Sequence, residues 1–290
     1  VFAMTMVEYD FPVLVAEAPL ILRGDMLLEN GKAVCLVKEI VKGSLTTNRV
    51  VVQSKSSGHI PAAKFRDDEN VFLFLNLPNA DGSAMLFGEL GTLGKWPKIG
   101  ENTSLQPQTL RDLSVDELVV LSRALAALNE VKGARLKLKA TEAWLVSTNG
   151  VHQLVALQYL LNYLPWSDEI TREDKEDGRE PVAQCKDAVR VYSDLIRILA
   201  GSGNCDVQVQ AFRLLERATH GTVLPVVVGS IAHTNPAVRA SACNALRRLA
   251  TDLNNPPMLP DASDSSEKLQ SLQKQWSEWY DRNKPGLINK

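Results

Sequence analysis

The sequence predicts an α+β protein of two domains: a small β-barrel over residues 1–104, then an α-solenoid of paired helices over 109–290. Three observations carry this expectation. Apolar residues recur with a period of two through the first hundred residues and with a period near 3.6 beyond them. The change falls in Glu101–Gln108, ENTSLQPQ, a polar run containing one proline. The later half also holds one pattern twice: Val207, Ala211, Leu214 and Leu215 are answered 31 residues on by Val238, Ala242, Ala245 and Leu246. At 290 residues, 45% apolar and 23% charged, the chain can bury two cores and has the composition of an ordinary globular protein.

In the first domain, Val13–Glu17, Lys32–Val41, Arg49–Gln53 and Asn70–Leu77 read as strands, being short and rich in Val, Leu, Ile and Phe. Turn clusters separate them: Arg23-Gly24-Asp25, Glu29-Asn30-Gly31, Lys42-Gly43-Ser44, Ser56-Ser57-Gly58 and Asn79-Ala80-Asp81-Gly82. Five or six short strands at this spacing make a small barrel or a sandwich. The run VKEIVKGSL (Val37–Leu45), the extended VVVQ after it and then NVFLFLNLPNADG resemble the small barrels of many exported bacterial proteins. Those are similar in turn to the OB-type netrin or tissue-inhibitor fold, a resemblance that implies a fold and no activity.

An OB-type barrel can bind single strands through stacking aromatics, here Phe65, Phe72, Phe74, Phe87 and Trp96. Phe72 and Phe74 share one strand face, which reads as core, and Asp67-Asp68-Glu69 beside them would repel phosphate. Residues 1–104 carry 10 Lys+Arg against 12 Asp+Glu, and the remainder 22 against 22, so neither half is a basic footprint. No nucleic acid is expected.

In the second domain, Ser114 followed by Glu117 is a capping box that opens a helix over Val115–Asn129. Gly133 breaks it, and Leu136–Ser147 and Gly150–Leu164 give two more helices. Lys132, Arg135, Lys137 and Lys139 form a basic cluster that reads as a solvated helix end. Pro165–Pro181, with seven acids against three bases, reads as a loop projecting from one face, in which Trp166 and Ile170 could dock a partner. A helix over Val182–Ala200 precedes the two repeat helices, with Val223–Ile231 between them. NNPPMLPDASDSS then breaks the chain before a last helix, Ser266–Asn283. There Leu269, Leu272, Trp276 and Trp279 fall on one stripe, read as a cap on the last repeat, with a partner groove as the alternative.

The repeated polar residue (Asp206, Asn235), the Val-Gln or Val-Arg after it (Val207-Gln208, Val238-Arg239) and the following Ala and Leu resemble HEAT repeats of the short bacterial kind. Trp276-Ser277-Glu278-Trp279 resembles the amphipathic ends of some bacterial proteins built from them. The resemblance implies a surface that binds proteins, with Gln208, Arg213, Arg239, Arg247, Trp166, Trp276 and Trp279 as candidate partner contacts.

Chemistry-bearing patterns are sparse. His59, His152, His220 and His233 have neither metal spacing nor an H-E-x-x-H, and no P-loop or G-x-S-x-G occurs. Gly88–Gly94, GELGTLG, leads into Trp96-Pro97 rather than a helix and reads as a hairpin loop. Of four separated cysteines, Cys35 and Cys243 read as buried hydrophobes, and Cys185 and Cys205, which bracket a helix, as free thiols. No cofactor or metal is expected. The start at Val1 fits a cleaved signal peptide, and a chain starting part-way along a longer sequence would look the same; the expectation taken is an extracytoplasmic protein. The function expected is a non-catalytic protein-interaction or scaffold module of a larger assembly. The alternative is an enzyme or small-ligand carrier using a cleft between the two domains.

Overall fold

The computed structural model describes residues 10–54, 68–87, 95–96, 108–131, 134–163, 196–216 and 223–287. The chain divides into two compact units, Val1–Val131 and Lys132–Lys290. The division lies after the polar stretch 101–108, because the first long helix belongs with the sheet.

The first element among the described residues is a helix, α1 (Phe11–Glu17), where the sequence reads as a strand over Val13–Glu17. Pro12 in its first turn supplies a helical φ and lacks the N–H that a helix start leaves unpaired. Phe11, Leu14 and Val15 then fall on one buried side. Strands β1 (Leu20–Glu29) and β2 (Lys32–Lys42) make a hairpin. Its two-residue turn, Asn30 (φ 50°) and Gly31 (φ 77°), has the positive φ values of the turn that matches strand twist. The chain continues through β3 (Arg49–Gln53), β4 (Asp68–Leu75), β5 (Ser83–Met85) and β6 (Lys95–Trp96). Helices α2 (Gln108–Arg111) and α3 (Val115–Glu130) complete the unit.

The closed barrel expected from the sequence is corrected by the strand order. The strands form one open mixed sheet, β5-β3-β2-β1-β4-β6, antiparallel throughout except for the β3–β5 pair. The outer edge of β4 takes β6 at Phe72 and Leu73, and β5 has only three residues. The approach of the chain after β5 to β4 is thereby reduced to one isolated bridge, Leu75 to Leu86, rather than a ladder.

The sheet is buried on both faces along most of β1 and β4. Leu20, Leu22, Met26, Cys35, Val50, Val52, Val71, Leu73, Leu75 and Leu86 pack into one core. The alternate residues Ile21, Phe72 and Phe74 are equally buried, and Phe74 meets Phe11 of α1 edge-on at 6.0 Å and Phe72 at 5.3 Å. Helix α3 packs on α1, β2 and β4. The two phenylalanines are core, as their shared face implies, and offer no stacking platform. The Ser114–Glu117 capping box forms as expected, with Ser114 N–H donating to Glu117 Oε2 at 2.8 Å and Glu117 N–H to Ser114 Oγ at 3.3 Å.

Arg23-Gly24-Asp25, which reads as a turn, lies inside β1, at register shifts against both neighbouring strands. A Cβ on Gly24 would stand 2.3 Å from Leu36 O and 2.6 Å from Cys35 Sγ. Glycine is there for close approach of two strands, not for chain reversal.

The second unit is helical: α4 (Ala134–Leu145), α5 (Gly150–Tyr163), residues 196–200, α6 (Cys205–Leu215), α7 (Leu224–Ser230), α8 (Pro236–Leu249) and α9 (Ser266–Leu287). Helix α5 packs on α4 and α6, α6 on α8, α8 on α7, and α7 on α9. Seven consecutive residues of α5, Leu154–Leu160, are buried, and no residue of α6 is fully exposed. The expected solenoid is not established: α6 and α8 repeat, but the helix between them is only seven residues long. The proposed insertion 165–181 and most of the helix 182–200 lie outside the described residues. Among the described residues no helix is long and apolar enough to cross a membrane.

Replacing Gly24 with Ala tests the close approach directly. With backbone oxygen in the path, overpacking of about 2 kcal/mol is expected, read as a lower urea midpoint, whereas Gly31→Ala, with nothing within 4 Å, strains only the turn.

Candidate functional site

The repeat helices are built alike at their starts. Asn204 Oδ1 accepts the N–H groups of Asp206 and Val207 at 2.9 and 3.2 Å. Asn235 Oδ1, 31 residues on, accepts those of Ala237 and Val238 at 2.9 and 3.3 Å. Each is an N-cap meeting amides that a helix start leaves unpaired. Asn149 Oδ1 does the same for Val151 N–H, at 2.8 Å, where α5 begins. The polar repeat position is therefore Asn204 and Asn235, not the Asp206 read from the sequence.

The next repeated pair, Gln208 and Arg239, also serves the main chain. Gln208 is buried, and its Nε2 donates to Ala200 O at 3.2 Å. Half-buried Arg239 donates from Nη1 to His233 O at 2.8 Å and from Nε to Ala262 O at 3.1 Å. Each ties down the turn before its own helix, and Arg239 also holds the segment before α9.

Helix α9 buries Leu269, Leu272, Trp276 and Trp279, the stripe its 3-4-3 spacing defines. Gln273 Nε2 donates to the carbonyls of Val228 and Gly229, at 3.1 and 2.8 Å, at the end of α7. The indoles sit edge to face at 5.7 Å. Trp276 Nε1–H donates to Met258 O and Trp279 Nε1–H to Asn255 O, both at 2.9 Å. Together they clamp the connection between α8 and α9 at two carbonyls.

These positions sort the seven residues expected to meet a partner. Gln208, Trp276 and Trp279 are buried and used within the unit, which corrects their assignment as contacts: spacing gave their face, and that face is covered. Arg239 is half-buried on two carbonyls, and Arg213 is half-buried in the last turn of α6. Arg247 is exposed, with Nη1 on Asn244 Oδ1 at 3.2 Å. Trp166 lies outside the described residues, as do Cys185, His59, His220 and Gly88–Gly94.

Two residues the sequence reading passed over are Met258 and Leu259, 66% and 40% exposed in the clamped connection. Their signal is the surrounding composition: an apolar pair bracketed by Pro256, Pro257 and Pro260 can enter neither a helix nor a sheet interior.

The first unit holds a charged cluster at the β1 register shifts. Arg23 donates from Nε to Asn70 Oδ1 at 2.6 Å and from Nη1 to Asp116 Oδ1 of α3 at 2.5 Å. Glu39 pairs with Arg123 of α3, and Lys38 Nζ lies 2.7 Å from Asp25 Oδ1. Asn70, at φ 61°, gives its N–H to Asp25 Oδ1 at 2.9 Å. The cluster fastens α3 to the sheet.

The carboxyl groups with a shift, Asp25, Asp81, Glu117, Asp261 and Asp264, all move downward. The Lys38 and Asn70 bonds hold the Asp25 carboxyl below its ordinary value of 3.8. Hydrogen bonds from Ser83, Ser114 and Ser263 and from Lys268 lower Asp81, Glu117, Asp261 and Asp264. A general acid at neutral pH needs the opposite shift. Burial pushes the Cys35 thiol up to about 12 and the Cys243 thiol to about 11, away from nucleophilic thiolate. His152 stacks on Trp144, and His233 Nδ1 accepts Asn235 N–H at 3.0 Å. Among the described residues no group of three His, Cys, Asp or Glu could hold a metal ion.

Compared with protein families, with curated proteins and with solved structures, the chain matches none.

The Asp25 contacts carry a pH prediction. Because its folded pKa lies below 3.8, their stabilisation is complete above 3.8 and is lost as pH falls through the lowered folded value. The gap in urea midpoint between wild type and Asp25→Asn is expected to be widest at neutral pH and to shrink on acidification; a pH-independent gap contradicts the assignment.

Proposed function

We propose that the chain is a non-catalytic protein-interaction module, acting as a subunit or accessory protein of a larger assembly. The observation that carries this reading is how the helical unit distributes its side chains. Asn204, Gln208, Asn235, Arg239, Gln273, Trp276 and Trp279 use their hydrogen-bonding atoms on the unit's own backbone. Large apolar side chains meanwhile stand in solvent: Val146, Ile198, Met258 and Leu259. Burial of such side chains is the main favourable term in protein association. The direction of the carboxyl and thiol shifts supports the same reading over an acid–base or nucleophilic one.

The proposal includes an extracytoplasmic site of action, which fractionation tests: recovery only with cytosolic markers contradicts it. The interaction itself is tested by chemical crosslinking in cells that make the protein, followed by purification and mass spectrometry. The expected outcome is one partner protein recovered reproducibly in fixed ratio with this chain. Recovery of the chain alone, under conditions that crosslink known assemblies, contradicts the reading.

A further inference from the structure

The segment between α8 and α9, residues 250–265, is fastened by side chains at three backbone carbonyls. Trp279 and Trp276, both buried, give their indole N–H groups to the carbonyls of Asn255 and Met258. Arg239 holds Ala262 O, two residues after the buried Pro260. Between these anchors Pro256, Pro257 and Pro260 each fix φ near −65°. Proline also disfavours the helical region for the residue before it, here Pro256 and Leu259, which favours extended backbone in the run. At its centre stand Met258 and Leu259, exposed side by side.

We propose that Pro256–Pro260 is a recognition element that seats Met258 and Leu259 in an aromatic-lined apolar groove of a partner protein. The inference rests on the interaction-module reading above and names the surface and the partner chemistry. Three prolines leave the segment without three backbone donors, and the indoles already take one of its carbonyls, Met258 O, and that of Asn255 just before it. A partner adding a β-strand would find no ladder to pair with. Side chains must carry recognition, and extended proline-rich segments are bound in this way by grooves lined with aromatic rings. The methionine thioether is polarisable and flexible, well suited to contact with ring edges. Holding the segment before the partner arrives removes much of the ordering cost that a loose loop pays on binding. Exposed Asp261, next after Pro260 and bonded to Ser263 Oγ at 2.6 Å, places one carboxylate at the end of the segment, which a basic group on the groove edge complements.

The test places a diazirine analogue of leucine at position 259 of the full chain, with the same analogue at Val120 of α3, itself 67% exposed, as control. Irradiation in cells that make the protein is expected to link position 259 to aromatic residues lining one groove of one partner. Met258→Glu is expected to cut that yield at least about tenfold without lowering the melting temperature. Trp279→Phe leaves Met258 and Leu259 in place but frees the Asn255 carbonyl, and is expected to cut the yield about threefold through the lost fastening. A merely sticky apolar patch would not respond to it. Crosslinks from 259 to a second copy of this chain, to lipid or to a surface without aromatic side chains overturn the proposal, as does a yield indifferent to Met258→Glu. If general crosslinking finds a partner that position 259 does not touch, this inference falls and the interaction reading stands; if neither finds one, both fall.

Discussion

Backbone groups that secondary structure leaves unpaired must be met by something, and in this chain polar side chains meet them. A helix start presents amides with no intrahelical acceptor, and a helix end presents carbonyls with no donor. Asn149, Asn204 and Asn235 answer the first need for α5, α6 and α8. Lys42 answers the second for α1, its Nζ donating to Val15 O and Ala16 O at 2.8 and 2.6 Å. The same rule governs irregular chain. The bulged part of β1 is completed by the Asp25 carboxylate, and the connection before α9 by two indoles and a guanidinium. Each such bond nets about 1 kcal/mol, and losing one partner while the other stays buried costs more. Side chains committed this way are not available to a substrate.

The sheet unit shows the constraint from the apolar side. Both faces of β1 and β4 are covered, so the alternation that marks a half-exposed strand disappears into the runs Leu20-Ile21-Leu22 and Val71–Leu75. Where β1 breaks register, Arg23 and Asp25 bring charge into it, and each has a partner across the strand or on α3. Cys35, lying under Gly24, belongs to this packed layer, and that burial holds its thiol protonated.

Much of this was legible in the sequence, and the exceptions share a physical cause. Signals that act within a few residues were reliable: the Asn30-Gly31 turn, the Ser114–Glu117 box and the α9 stripe all form where local chemistry puts them. The Val-Ala-Leu repeat also marks two helices that pack against each other. Signals needing knowledge of the neighbouring element were not. Val13–Glu17 is β-branched and apolar, but Pro12 and one-sided burial make it helical. Arg23-Gly24-Asp25 has turn composition, and only the adjoining strand shows that it is a bulge. Barrel closure depended on β6 and a three-residue β5, neither visible as a pattern. For Gln208 and Arg239, helical spacing gave a face; whether a backbone carbonyl waits there is a tertiary fact. Met258 and Leu259 looked like punctuation between helices because the prolines around them say only where a helix stops.

Hydrogen exchange on the intact protein tests most directly the claim that side chains satisfy these backbone groups. The account predicts that the indole N–H of Trp276 and Trp279, and the amides of Val207 and Val238, exchange orders of magnitude more slowly than unstructured peptide. Indole protons exchanging at the rate of free tryptophan, with capped amides as fast as those of frayed helix ends, would contradict it and leave the α8–α9 connection without its fastening.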